Sequence, residues 1–130
     1  LKLKDEITFA GFTENIPTKM SEYDMLIMPS LTEGIPITLL EALREKIQVC
    51  ASKVGGIPEV LGSNYPFLTE PENSDSIAKK IQLSLEYDGT DIERIVTNNH
   101  SQFLTNFSSV EMQKKYKSTY SKLIKTNRTS

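Results

Sequence analysis

From Met25 to Leu43 the chain reads Met-Leu-Ile-Met-Pro-Ser-Leu-Thr-Glu-Gly-Ile-Pro-Ile-Thr-Leu-Leu-Glu-Ala-Leu, and few folds accept such a stretch. Met25 to Met28 is a short apolar run stopped by Pro29, which is the mark of a buried strand. A polar turn follows, and from Pro36 the positions Leu40, Leu43 and Ile47 recur at steps of four, three and four, one stripe of a helix. Proline suits the first helical position, where its missing N–H would have had no partner. With Pro36 there, the N–H groups of Ile37 and Thr38 have no carbonyl to meet inside the helix. Free donors at the positive end of a helix make an anion site, most simply a phosphate site. Glu33 stands before that site, and Glu41 about a turn and a half beyond it. Carboxylates repel phosphate, so their expected targets are hydroxyl groups. A phosphate with hydroxyl-rich groups on both sides describes a nucleotide sugar.

The flanking sequence predicts an alternation of strands and helices. Ile7 to Phe12 reads as a strand with a loop at Gly11, and Pro17 to Glu22 as a short helix. Gln48 to Ala51 is a further strand. Gly55-Gly56 opens a short helix over Pro58 to Leu61, closed by Gly62; the pair suits a tight turn or a cleft lining. Tyr65 to Thr69 reads as a last strand, at an edge because it contains Pro66. Four strands alternating with helices predict an α/β fold: a Rossmann-like parallel sheet in three layers, with helices on both faces. That alternating part covers residues 1–73, and residues 74–130 are expected to be helical. Ser74 and Asp75 start a first helix with Ile77, Ile81 and Leu85 as its stripe, and Ile92, Ile95, Val96, Asn99 and Phe103 mark a second. Ser108 with Glu111 forms a capping box and Phe107 with Met112 a hydrophobic staple for a third. Its stripe of Met112, Tyr116, Tyr120, Leu123 and Ile124 reads as core, its lysines and the single His100 as solvated surface, and Thr126 to Ser130 as a loose tail.

Composition narrows the function. A length of 130 residues with 38% apolar and 25% charged residues supports one domain, or part of one, with a real core. The net charge of −2 argues against nucleic acid as a partner. No apolar run approaches a membrane span, and the lone Cys50, in Val49-Cys50-Ala51, fits a reducing cytoplasm. Leu1 to Glu6 holds no signal-peptide stretch and no starting Met, so the sequence reads as a piece of a longer chain. No His, Cys or carboxylate cluster has metal-ligand spacing, so no metal is expected.

Three ordered segments carry a resemblance to a known family. The pattern Pro-Ser-x-x-Glu-Gly-x-Pro-x-x-x-x-Glu-Ala with Glu33 and Glu41 resembles the signature of retaining glycosyltransferases of group 1, built from two Rossmann-like domains. Ala51-Ser52-Lys53-Val54-Gly55-Gly56-Ile57-Pro58-Glu59 is similar to the segment that follows it, and Ile7-Thr8-Phe9-Ala10-Gly11-Phe12 to the one that precedes it. The resemblance implies one partial nucleotide-sugar-binding domain over residues 1–130. Glu33 would then contact the transferred sugar as the catalytic carboxylate, and Glu41 would accept from the ribose hydroxyls. Gly34, Ile35, Ile37 and Thr38 would lie along sugar and phosphate, and Gly11 and Phe12 against the base. The donor is a nucleotide diphosphate sugar, with no separate cofactor. The acceptor, a sugar or a lipid-linked sugar, would meet an N-terminal domain that this sequence lacks. The resemblance implies a hexosyl transfer enzyme of bacterial surface polysaccharide or glycolipid synthesis, cytoplasmic, with the full-length protein at the inner face of the membrane.

The sequence also departs from the family. Leu43-Arg44-Glu45-Lys46-Ile47-Gln48 replaces the usual glycine stop of the signature helix, and Asn64-Tyr65-Pro66 the usual glycine before the last strand. Nothing matches the first half of the donor domain, with its glycine-containing loop and basic pair. The isolated chain is therefore expected to be inactive and to self-associate through an open sheet edge. Alternatives are a phosphorylase or a nucleotide-sugar epimerase of the same fold. A receiver-like interaction module is a weaker one, because no acidic cluster follows Phe12 and no lysine follows Thr69 closely.

Overall fold

The computed structural model describes residues 3–127. Leu1 and Lys2, and residues 128–130 of the expected loose tail, lie outside the described residues. Three parallel strands, β1 (Met25–Met28), β2 (Gln48–Ser52) and β3 (Leu68–Thr69), form a sheet in that order. Met25 pairs with Gln48 and Met28 with Ala51, while Ala51 pairs with Leu68 and Ser52 with Thr69. Every residue of β2 is buried. A strand buried on both faces is covered on both, which is why Val49-Cys50-Ala51 runs apolar instead of alternating. The covering helices are α2 (Ile37–Arg44), α4 (Ser74–Glu86) and α5 (Gly89–Asn106), all packed on β2. Short helices α1 (Ile16–Met20) and α3 (Ile57–Leu61) fill the connections, and α6 (Ser109–Asn127) follows α5. The architecture is the α/β parallel arrangement that the sequence predicts.

The core gathers Leu39, Ala42 and Leu43 of α2, Val49 to Ala51 of β2, Ile57 and Val60 of α3, and Phe67. Tyr65 closes it from a direction that the sequence does not announce. Its hydroxyl donates to the Val49 carbonyl at 2.7 Å and accepts from the Val49 N–H at 3.4 Å. The side chain thus meets β2 where β3 has not yet begun, and burial pushes the Tyr65 hydroxyl well above the ordinary phenol range.

Several expectations are corrected. Ile7 to Phe12 forms no strand: none of the described strands pairs with it, and Phe9 and Phe12 are 95% and 93% exposed. Among the described residues the sheet therefore has three strands instead of four. β3 is two residues long because Pro66 and Phe67 turn before pairing starts. Leu39 and Ala42, more than Leu40 and Ile47, fill the buried side of α2 beside Leu43. In α4 the buried residue is Ser84, while Leu85 is 80% exposed, and Asn73, not Ser74, caps the start by accepting from the Ser76 N–H. His100 is half-buried, its Nδ1 at 3.0 Å from the Leu43 carbonyl oxygen, so it ties α5 to the end of α2. Only half of the capping box forms: the Glu111 N–H donates to Ser108 Oγ, but the Glu111 carboxylate pairs with Lys114. Met112, Tyr116, Tyr120, Leu123 and Ile124 are all more than half exposed, so the stripe of α6 is not core among the described residues. Thr126 and Asn127 continue α6.

The missing glycine stop has a structural answer. The Ile47 N–H donates to the Ala42 carbonyl at 2.8 Å and the Lys46 N–H to the Leu43 carbonyl at 3.3 Å, the paired closure that ends many helices. That closure needs a left-handed residue, and Lys46 supplies it at φ 58°. A side chain in this region costs about 1–2 kcal/mol, while glycine costs about 0.5–1 kcal/mol in chain entropy. Lys46→Gly is therefore expected to raise stability by about 0.5–1 kcal/mol. The check is a higher urea midpoint at unchanged slope. A lower midpoint would mean that the lysine stem contributes more than its backbone strain costs.

Candidate functional site

The loop from Pro29 to Pro36 leaves the carboxyl end of β1 and enters α2, the end of a parallel sheet where ligands of such folds bind. Pro36 is the residue before the helix (φ −69°, ψ 129°), one position earlier in the helix frame than the sequence suggests. The first intrahelical bond runs from the Leu40 N–H to the Pro36 carbonyl at 3.3 Å. Among the described residues the backbone N–H groups of Ile37, Thr38 and Leu39 consequently have no partner, one more than expected, and no side chain caps them. Leu39 is fully buried, so the exposed donors are Ile37 and Thr38. Ile37 is 73% exposed, so this end of α2 faces outward. Glu41 lies one turn beyond Ile37 on the same side of the helix. It is half-buried, and among the described residues its carboxylate has no hydrogen-bond or ion-pair partner.

Glu33 is held from two sides. Ser30 Oγ donates to Glu33 Oε1 at 2.7 Å. Its backbone rests on the β2–α3 connection, where the Gly56 N–H donates to the Gly34 carbonyl at 2.8 Å. Gly55 sits at φ 51°, and a Cβ there would lie 1.8 Å from the Glu33 carbonyl oxygen. A Cβ on Gly56 would lie 2.6 Å from the Gly34 carbonyl oxygen and 2.7 Å from the Ile35 side chain. The glycine pair is thus both a left-handed turn and a seat for the neighbouring loop. Sequence reasoning gave Ser30 no role, although a serine three residues before an acid in a turn is the spacing at which the two side chains can meet.

Gly34 is different. Nothing lies within 4 Å of a Cβ built on it, and its φ is outside the left-handed region. Neither the backbone nor the packing requires glycine there. Of the remaining candidates, Gly11 and Thr38 come together as linings of one pocket of about 350 Å³, with Lys19, Tyr23 and residues 25–27 of β1 among its walls. Three consecutive strand residues cannot share one face, so this pocket follows the unpaired edge of β1. Phe12 is outside its lining and points into solvent.

Elsewhere the titrating groups are structural. Burial raises the Cys50 thiol, and the Asp88 carboxylate is held below its ordinary range by the Asp91 N–H at the start of α5. Among the described residues no three His, Cys, Asp or Glu side chains gather as a metal site, and no helix is long and apolar enough to cross a membrane.

Comparison with known proteins shows the family and the fold. Residues 1–101 match the family model described as glycosyl transferases group 1. The amylovoran biosynthesis glycosyltransferase AmsK of Erwinia amylovora is 31% identical over 114 residues, covering 82% of this chain and 28% of that protein. Among solved structures, the C-terminal domain of the group 1 glycosyl transferase LpcC from Francisella tularensis superimposes with a TM-score of 0.66 at 28% identity, over 79% of this chain and 53% of that one. Sucrose-phosphate synthase from Thermosynechococcus elongatus shares the fold at a TM-score of 0.83 and 23% identity, over 95% of this chain and 32% of that one. The chain thus spans less than a third of the length of AmsK. With its parallel sheet, its strand–loop–helix signature and the match over residues 1–101, the chain belongs to the group 1 glycosyl transferases.

Proposed function

We propose that this chain supplies the donor side of a retaining glycosyltransferase that moves a sugar from a nucleotide diphosphate sugar to a hydroxyl acceptor in bacterial polysaccharide or glycolipid synthesis. The observation that carries the reading is the outward-facing start of α2, with the unpaired N–H groups of Ile37 and Thr38 between the clamped Glu33 and Glu41, unpartnered among the described residues. Family membership and the likeness to an amylovoran biosynthesis enzyme support the reaction class.

In this reading the diphosphate sits on the N–H groups of Ile37 and Thr38, where the helix dipole favours the negative charge that grows as the bond to the sugar breaks. Glu41 accepts from the ribose hydroxyls. Glu33 accepts from hydroxyls of the transferred sugar and orients it. Gly34 and Ile35 pass beside sugar and phosphate, and at Gly34 a ligand explains a glycine that the fold does not need. The donor is a substrate, and no resident cofactor or metal is assigned. The acceptor contacts, the diphosphate-neutralising basic groups and the cytoplasmic placement belong to the complete enzyme.

The two glutamates give the test. A hydrogen bond to a charged group contributes about 1.5–3 kcal/mol, roughly ten- to over a hundredfold in affinity. In the complete enzyme Glu41→Gln is expected to weaken bare nucleotide diphosphate by that factor, while Glu33→Gln leaves it nearly unchanged and lowers turnover. Calorimetric titration of UDP, GDP and ADP into both variants decides it. Equal losses in the two, or none in Glu41→Gln, would refute the assignment.

A further inference from the structure

A carboxylate that orients a sugar must itself be oriented, and Glu33 sits in a loop without helix or strand to fix it. Its backbone is fixed by the seat at Gly55 and Gly56, which leaves the side chain free to rotate about its own bonds. Among the described residues, the side-chain hydrogen bond that stops this rotation comes from Ser30. From the structure we infer that Ser30 is a positioning residue, which locks the Glu33 carboxylate in the direction that reads the transferred sugar; the inference rests on the role proposed for Glu33.

The chemistry is specific. Ser30 has one hydroxyl hydrogen, and at 2.7 Å it is spent on Glu33 Oε1. That leaves both lone pairs of Oε2, and one of Oε1, to accept from sugar hydroxyls. An ionised acceptor makes this bond shorter and stronger than a neutral pair would. Ser30 is itself half-buried in the loop that follows Pro29, so its position is set by the end of β1. The backbone clamp and the hydroxyl lock are separate: the first comes from the β2–α3 connection, the second from three residues upstream in the same loop.

The test uses the complete enzyme and a fixed panel of probes, UDP-glucose, UDP-N-acetylglucosamine and GDP-mannose, each against its bare diphosphate. The readout is the ratio of affinities, sugar nucleotide over bare diphosphate, together with the rate of donor hydrolysis. Ser30→Ala is expected to lower that ratio about tenfold, the lower end for a charged hydrogen bond, with bare diphosphate affinity unchanged. Ser30→Thr, which keeps the hydroxyl, is expected to restore most of it. In a Glu33→Ala background Ser30→Ala should add nothing, because its effect passes through Glu33. Equal losses for bare diphosphate and sugar nucleotide would reveal a merely structural serine and overturn the inference. So would an unchanged ratio, or a full additional loss in the double variant. If Glu33→Ala alone leaves the ratio and the hydrolysis rate intact, the reading of Glu33 falls and the inference with it. If Glu33→Ala lowers them and Ser30→Ala does not, only the inference falls.

Discussion

Gly55→Ala is expected to destabilise the protein by roughly 2–5 kcal/mol, combining left-handed strain with overpacking. At φ 51° an alanine is strained whatever surrounds it. What surrounds it is backbone: the Glu33 carbonyl oxygen at 1.8 Å and its carbon at 2.7 Å from the new Cβ. Unlike the end of a flexible side chain, that oxygen can move only with the whole signature loop. The Gly56 to Gly34 hydrogen bond would be strained in the same movement. The denaturant midpoint should therefore fall, and nucleotide diphosphate affinity with it. Gly34→Ala is the matched comparison, since its Cβ meets nothing within 4 Å. It should keep stability within about 0.5 kcal/mol, as an open surface position does, yet weaken donor binding if the ligand passes there. A Gly55→Ala protein as stable as the parent would show that the two loops are not in contact in solution.

Phe67→Ala is the second large effect, expected at about 3–5 kcal/mol for a fully buried aromatic. Phe67 is 0% exposed, edge-on to Tyr65 at 5.6 Å and to Tyr87 at 5.3 Å between ring centres. Removing it takes away the ring shared by the segment before β3 and the end of α4. Against a total stability of about 5–15 kcal/mol, such a loss approaches unfolding. Thermal and urea unfolding give the value, and Phe67→Leu, which keeps more of the volume, should fall between. A loss below about 1 kcal/mol would mean that the site collapses around the gap, the one route by which a large truncation is forgiven.

The elements legible in the sequence are those whose signals are local. Met25 to Met28 before Pro29, the helix after Pro36, and Gln48 to Ala51 are each set by their own apolar pattern and breakers, and each forms. What failed depended on partners. Ile7 to Phe12 has a strand's composition, but no described strand lies alongside it to complete a ladder. The stripe of α6 has a core helix's spacing and meets little to pack on, while in α4 the small Ser84 is buried where Leu85 was expected. The site divides the same way. Glu33, Glu41 and the donors of α2 follow from spacing along one stretch of chain. The seat formed by Gly55 and Gly56 joins residues some twenty positions apart, and only the pairing of β1 with β2 brings them together.

The aromatic arrangement also decides what light can report. With no tryptophan and five tyrosines, the near-ultraviolet signals of this protein are tyrosine signals. Tyr65 and Tyr87 flank Phe67 in the core, while Tyr116 and Tyr120 stack on the exposed side of α6 with ring centres 6.4 Å apart. The first pair is packed edge-on against Phe67, so its circular dichroism is expected to fall when the core melts. The second pair, like Tyr23, stands open to a dissolved quencher such as acrylamide. Dichroism therefore follows the sheet and its packing, while quenching reports the exposed rings of Tyr23, Tyr116 and Tyr120, which are open before any unfolding, so a fall in dichroism marks melting of the core without adding a label.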